Sequence, residues 1–454
     1  MNLLTAASAV EGRLVGNDVD FERVVTDSRE LSGGELFVAL KGENFDGHEF
    51  VAQAQSSGAV AAMASQELEI DLPTLVVGDT TLSLGRLAAY WRCQFNLPVV
   101  AVTGTNGKTT VREMITSILS EGGSVLSPRA NFNNNIGMPI TLLGLREEHH
   151  HAVLELGMNQ PGEIDYLSRI ARPSVAVITN AGSAHLEGLR DVTGVARAKA
   201  EILNGLDRSG AVVINADDRF AAYWLARARH FRSVTFGLES EADVRGDATT
   251  VGDKLLIEVS LPDSRLEFQL SLLGRHNARN ALAAVAAAWS VGCSTKQICN
   301  GMEKVRPVRR RLEQKQAQAG AQLIDDTYNA NPASLEAAIQ VLAARPGRRI
   351  LVLGDMAELG DQAEGLHQAA GRVAREAGID DLLTTGGLAR CAAEEFGMHA
   401  RHFEKQESLI AAVHELLTPE LTVLVKGSLS SHMENIVNAL IQTEIGRASC
   451  RERV

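Results

Sequence analysis

To about residue 80, short apolar runs alternate with polar turns. "RVVTDSR", "ELFVAL", "AVAAMA" and "TLVVGD" read as short strands, and "HEFVAQAQSSG" as a helix between two of them. From about residue 83 the pattern becomes strand–helix alternation, with apolar runs at 99–102, 152–156, 175–178, 211–214 and 234–236. Such alternation implies a mostly parallel sheet covered on both faces. "KLLIEVSLPDSRLEFQLSLL" then switches to period two around Pro-Asp-Ser, a hairpin signal. Alanine-rich "HNARNALAAVAAAWSVG" follows as a helix. "KVRPVRRRLEQ" (304–314) reads as a linker. Beyond it the alternation restarts with "QLIDD", "RRILVLGD", "DLLTTGG" and "LTVLVKG" as strands, the mark of a doubly wound unit. "HHH" (149–151) has no spaced partner and reads as a structural loop run.

The expected fold is therefore α/β in three domains. These are a small N-terminal α/β domain (1–82), a central P-loop-type, mostly parallel sheet (83–308) and a C-terminal Rossmann-like doubly wound domain (309–442). Residues 443–454, in "EIGRASCRERV", have neither apolar periodicity nor turn logic and read as a non-native tail.

A length of 454 residues suits two to four domains, and 45% hydrophobic with 22% charged residues is ordinary for a globular chain. No apolar run reaches the roughly 18 residues a membrane span needs. The first residues lack an early basic cluster, so no signal peptide is expected. Five cysteines (93, 293, 299, 391, 450) form no CxxC pair, which suits a reducing cytoplasm and offers no zinc or disulfide framework. The net charge of −12 argues against a nucleic-acid partner but leaves anionic small molecules open, because a loop can bind phosphate on an acidic protein.

The sharpest chemistry lies in "VVAVTGTNGKTTVREMI" (99–115). A strand runs into Gly104-Thr105-Asn106-Gly107-Lys108-Thr109-Thr110, and a helix follows with Val111, Met114, Ile115, Ile118 and Leu119 on one face. Unpaired N–H groups and the positive dipole end of that helix face an anion. The glycines admit phosphate, Lys108 supplies charge, and Thr109 supplies a hydroxyl for Mg²⁺. Only two residues separate Gly104 from Gly107, where a standard P-loop has four.

"GTNGKTT" resembles the shortened loop of the Mur ligases, ATP-dependent amide-forming enzymes of peptidoglycan precursor synthesis. "TDSR", "KGENFDGHEF", "NFNNNIGMP", "AVLELGMNQPGEI", "VAVITNAGSAHLEG", "GVARAKAEI", "GRHNARNALAA" and "IDDTYNANP" continue the resemblance in order over residues 1–440. It implies that Ser28 and Arg29 contact a UDP moiety, and that Asn134 and Asn135 lie near the phosphates. It makes Glu155 a Mg²⁺ ligand beside Thr109. His185, together with Lys199 carrying a carbamate, becomes a ligand of a second Mg²⁺. Either Asn277 or Asn280 would read adenine, and Asp326 the ribose. Arg311 would meet the γ-phosphate, with Arg309 and Arg310 leaving the register open.

"YNANP" points within the family to addition of a dipeptide, with Tyr328, Asn329 and Asn331 on the substrate side. The implied activity joins D-alanyl-D-alanine to a UDP-linked muramoyl tripeptide through an acyl phosphate, using ATP, two Mg²⁺ ions and the Lys199 carbamate. A cytoplasmic monomer with small-molecule substrates is expected. Two other readings of the loop are a folylpolyglutamate synthase and a P-loop NTPase without ligase activity. "TDSR" and "YNANP" weigh against the first, and the short loop against the second.

Overall fold

The computed structural model describes residues 1–42, 45–129 and 131–441, so the expected tail at 443–454 lies outside the described residues. Its spine is the strand Val99–Thr103, which enters the phosphate loop. Val99 and Ala101 face one core and Val100 and Val102 the other, all fully buried. Burial on both faces is why this strand is a continuous apolar run rather than an alternating one.

That strand is central in a nine-stranded sheet. Its order is Arg265–Leu270, Lys254–Ser260, Val244–Val251, Arg232–Gly237, Ala211–Asn215, Val175–Ile178, Val99–Thr103, His149–Glu155 and Ser124–Leu126. Pairing is parallel from Ser124–Leu126 to Val244–Val251, and antiparallel through the final hairpin. The helix Lys108–Leu119 packs its Val111, Met114, Ile115, Ile118 and Leu119 face into one core, as the spacing predicts.

The N-terminal sheet has five strands in the order Arg13–Val15, Thr74–Val76, Ala61–Ala64, Glu35–Val38, Arg23–Val25. The C-terminal sheet has six, ordered Glu313–Gln316, Gln322–Asp326, Leu421–Lys426, Arg348–Leu353, Asp381–Thr385, Ala400–Phe403. In both, the first pair is antiparallel and the rest parallel. The fold is the expected three-part α/β arrangement.

Several local readings change. His149–His151 open a strand rather than a loop, paired to Ser124–Leu126. The segment read as a linker ends in a strand, Glu313–Gln316, antiparallel to Gln322–Asp326. Its all-polar sequence hides it, because it is an edge strand with alternate residues in water. Val244–Val251 is missed although it is paired on both sides, because one face lies in water and its residues are mostly small or polar. Leu3–Val10, which buries Leu3, Ala6, Ala7 and Val10, is a helix capped by Asn2, whose Oδ1 accepts from Thr5 N at 3.0 Å.

Candidate functional site

The phosphate loop leaves Val99–Thr103 and enters its helix at Gly107, whose φ of 82° favours glycine. A Cβ there would sit 2.3 Å from Asn280 Oδ1, and one on Gly104 1.8 Å from Thr179 Oγ1. The loop is therefore closed in by neighbouring polar groups on both sides. The backbone of Asn106 is pinned to the next strand end: its N–H donates to Asn180 Oδ1 at 2.9 Å, and its carbonyl accepts from Thr179 Oγ1 at 2.7 Å and Asn180 Nδ2 at 3.0 Å. Lys108 folds its ammonium back onto the Gly104 carbonyl at 2.8 Å. Burial lowers its pKa, with Glu155 opposing and Arg311 adding to the shift.

Glu155, 2% exposed at the end of its strand, is held from three directions. Thr109 Oγ1 donates to Oε2 at 2.8 Å, Asn133 Nδ2 donates to Oε1 at 2.8 Å, and Arg112 lies 3.7 Å from Oε2. A buried carboxylate is tolerated only with such partners. Sequence reading found Glu155 and Thr109 but passed over Asn133 and Arg112. Asn133 differs from its Asn neighbours only in facing inward, which composition does not reveal.

The C-terminal part closes the other wall. Arg311 Nη2 donates to Thr109 Oγ1 at 3.0 Å, and its guanidinium lies 4.1 Å from the Tyr328 ring centroid. Its Nε is buried without a hydrogen-bond partner. Arg310 instead binds Thr327 and Glu434, and Arg309 is exposed. The arginine left open by the sequence as nearest the loop is thus Arg311. Asn331 caps the helix Pro332–Ala343 and exchanges two amide hydrogen bonds with Asn106, at 2.8 and 3.3 Å. Asp326 is paired with buried Lys426, which also donates to the Asn329 carbonyl at 2.9 Å. Burial raises the Asp326 pKa, and Lys426 pulls against that shift.

Between these walls lies a cavity of about 1080 Å³. Thr105, Asn106, Gly107, Lys108, Thr110, Asn134, Asn135, Glu155, His185, Asn277, Asn280, Arg311, Asp326, Tyr328, Asn329 and Asn331 all line it. Asn134 spends its Oδ1 on the N–H groups of Gly137 and Ile136, at 2.8 and 3.2 Å. Asn277 donates to the Leu273 carbonyl at 2.8 Å, whereas Asn280 abuts Gly107. Asp217, Asp218 and His276 line the cavity too and were not singled out from sequence. Asp218 joins two strand ends by accepting from Ala181 N and Phe220 N.

Lys199, Ser28 and Arg29 lie outside the cavity lining. Lys199 is 2% exposed and does not line the cavity. Burial, then repulsion from Lys108, pushes its pKa well below the usual lysine value. It is not the solvated helical lysine that its local sequence suggests. Ser28 and Arg29 lie away from the cavity in a short 3-10 turn, where Arg29 pairs with Asp27 at 2.6 Å. His185, with φ 55°, lies 2.7 Å from Glu358 Oε2 of the C-terminal part through its Nδ1.

Among the described residues no cluster of three or more His, Cys, Asp or Glu could alone hold a metal. The Thr109–Glu155 pair does fit one Mg²⁺, since this ion takes one or two protein oxygens and completes its shell from phosphates and water. His185 with an unmodified Lys199 does not make a Mg²⁺ site, because this ion prefers oxygen ligands and the pair supplies none.

A phosphate loop on a parallel sheet, facing a doubly wound domain across one polar cavity, defines an ATP-dependent ligase. The comparisons give its family. The Mur ligase middle domain matches residues 102–288, the Mur ligase glutamate ligase domain 310–429, and the Mur ligase family catalytic domain 20–89. The UDP-N-acetylmuramoyl-tripeptide–D-alanyl-D-alanine ligase of Escherichia coli K12 is 42% identical, over 95% of this chain and 96% of its own length. A crystal structure of MurF from Acinetobacter baumannii aligns with a TM-score of 0.91 at 37% identity, covering 96% of this chain and 97% of that one. MurF of Thermotoga maritima in complex with ADP aligns at 0.82 and 27% identity, over 92% and 96%. The chain belongs to the Mur ligase family.

Proposed function

We propose that this enzyme joins D-alanyl-D-alanine to a UDP-N-acetylmuramoyl tripeptide with hydrolysis of ATP, in cytoplasmic peptidoglycan precursor synthesis. The observation that carries the reading is the cavity in which the phosphate loop meets the "YNANP" segment. A phosphoryl donor and an amine acceptor held on its two walls would be within reach of each other. The names of the relatives point the same way.

In this reading a substrate carboxylate attacks the γ-phosphate, and the amine then attacks the acyl phosphate to give an amide, ADP and phosphate. Lys108 and Arg311 bind and orient the transferred group and offset its charge. Lys108 donates to the Gly104 carbonyl and Arg311 to Thr109, so both exchange these partners for phosphate oxygens when nucleotide binds. Gly104, Thr105, Gly107 and Thr110 form the phosphate cradle, with Asn134 and Asn135 at its mouth. Asn277, Asn280 and Asp326 serve the nucleoside, and Tyr328, Asn329 and Asn331 the acceptor. Ser28 and Arg29 hold the UDP end. Thr109 and Glu155 would hold Mg²⁺, which when bound would supply Lewis-acid charge neutralisation at the phosphates. Lys199 carries a carbamate, and with His185 would hold a second Mg²⁺. The low pKa of Lys199 favours the free amine that carbamylation requires. No protein nucleophile is needed. Excluding water between the two walls protects the acyl phosphate.

The working division is 1–82 for the UDP substrate, 83–308 for ATP and 309–442 for the acceptor, in a monomer. The test is phosphate release with ATP, the tripeptide substrate and one acceptor at a time: D-Ala-D-Ala, a diamino acid, D-Glu or L-Ala. The dipeptide should support the fastest turnover. Equal or faster turnover with a single amino acid would overturn the acceptor assignment.

A further inference from the structure

Asn106 sits between the two loop glycines, where a side chain would be expected to reach for phosphate. It does not. Its Nδ2 donates to Asn331 Oδ1 at 3.3 Å, and its Oδ1 accepts from Asn331 Nδ2 at 2.8 Å. The partners are 225 residues apart and belong to different sheets. The backbone of Asn106 is bound on both sides by Thr179 and Asn180, so the residue is fixed to the central sheet. Asn331 is equally fixed: its Oδ1 also accepts from Ser334 N at 3.0 Å, and its N–H donates to Ser334 Oγ at 3.0 Å. The pair thus joins a rigid loop apex to a rigid helix start. Three residues before Asn331, Tyr328 lies against Arg311, which returns to the loop at Thr109. Lys108 is flanked by these two bridges.

We propose that the Asn106–Asn331 pair is a positioning clasp, which makes the geometry of the acceptor segment 328–331 depend on whether the phosphate loop is occupied. Asn106 therefore acts on the acceptor side through Asn331 rather than by binding phosphate. A reciprocal amide pair suits the place. It is directional, since each side chain must present both an oxygen and an N–H, and it adds no charge beside a polyanionic ligand. The inference rests on the ligase reading only in naming the segment an acceptor site; the clasp itself is a matter of the two walls.

The test uses the full chain with a non-hydrolysable ATP analogue. Asn331→Ser keeps a good helix cap but cannot form the reciprocal pair; Asn106→Ala removes the other half. In the wild type, the analogue should slow backbone hydrogen exchange at 328–335. In both variants it should bind within about threefold of the wild-type affinity yet leave that exchange unchanged, since exchange reports local opening. Using whichever acceptor the wild type turns over, each variant should lose roughly tenfold in acceptor kcat/KM, and the double variant no more than either single one, as coupled residues are non-additive. Because this comparison does not require the dipeptide, failure of the acceptor assignment leaves it intact. Unaltered transmission to 328–335 in Asn106→Ala would overturn the clasp. So would a loss of analogue affinity of more than about tenfold in that variant, which would return Asn106 to the phosphate site, or additive effects in the double variant.

Discussion

At the scale of single residues, burial decides function more than identity does. Lys199 is one of the chain's lysines until its helix places it 2% exposed beside Lys108. Lys199→Ala should cut turnover by roughly 10- to 100-fold, as loss of a metal-supporting group does, while the ATP analogue still binds. Labelled bicarbonate should give a carbamate carbon signal by NMR in the wild type and none in the variant. Retained turnover together with an absent signal would remove Lys199 from the mechanism. His276 is a second case. Burial, then the charges of Lys426 and Arg279, lower its pKa from 6.5 to about 4. The folded value lies below the unfolded one, so the neutral ring contributes stability above about pH 6.5, and that contribution is lost as pH falls towards about 4. His276→Gln should therefore lose less Tm than the wild type between about pH 7 and pH 5. Parallel Tm curves for the two proteins would rule this out.

At the scale of elements, two glycines on either side of one helix should behave oppositely. Gly301, in the helix Thr295–Lys304, lets that helix touch the phosphate-loop helix; a Cβ would sit 2.4 Å from Ile118 Cα. Backbone cannot move aside cheaply. Gly301→Ala should destabilise the fold by about 1–3 kcal/mol, the usual cost of overpacking, and leave nucleotide affinity nearly unchanged. Gly107→Ala meets the Asn280 side chain and a φ of 82°. The left-handed backbone costs about 1–2 kcal/mol, and the loop must shift, so nucleotide affinity should fall by an order of magnitude or more. Thermal melts and calorimetric titration of both variants check the contrast. A Gly107→Ala protein that binds nucleotide normally would show that the loop has room the structure does not show.

At the scale of the whole molecule, the central and C-terminal parts touch, among the described residues, at three polar points: Asn106–Asn331, Thr109–Arg311 and His185–Glu358. The last joins two non-glycine residues of positive φ, 55° and 61°. Arg311 connects the walls most directly to the proposed phosphate position. Arg311→Ala should weaken ATP-analogue binding by about tenfold, the scale of losing a charged hydrogen bond, with little change in Tm. Arg309→Ala, from the exposed neighbour, should change neither. Isothermal titration distinguishes them, and an equal loss in both would put the register in error.

The chain's local order was enough to reveal the phosphate loop, its strand and helix, the apolar runs of all three sheets and the hairpin. Each of these depends on residues within a few positions: periodicity, glycine, a capping or turn residue. Edge strands such as Glu313–Gln316 escaped because water on one side removes the apolar signal. The site was legible as a set of names but not as an arrangement. Sequence could not choose among Arg309, Arg310 and Arg311, because the choice depends on Thr109, 202 residues away. It could not see that Asn133 rather than Asn134 holds Glu155, that Lys199 is dry, or that Asn106 turns from phosphate to Asn331. Those facts are fixed only by tertiary packing, within the central part for Asn133 and Lys199 and between the central and C-terminal parts for Arg311 and Asn106. Side chains with identical local surroundings then differ in which way they face, how much water they keep and which charges they meet.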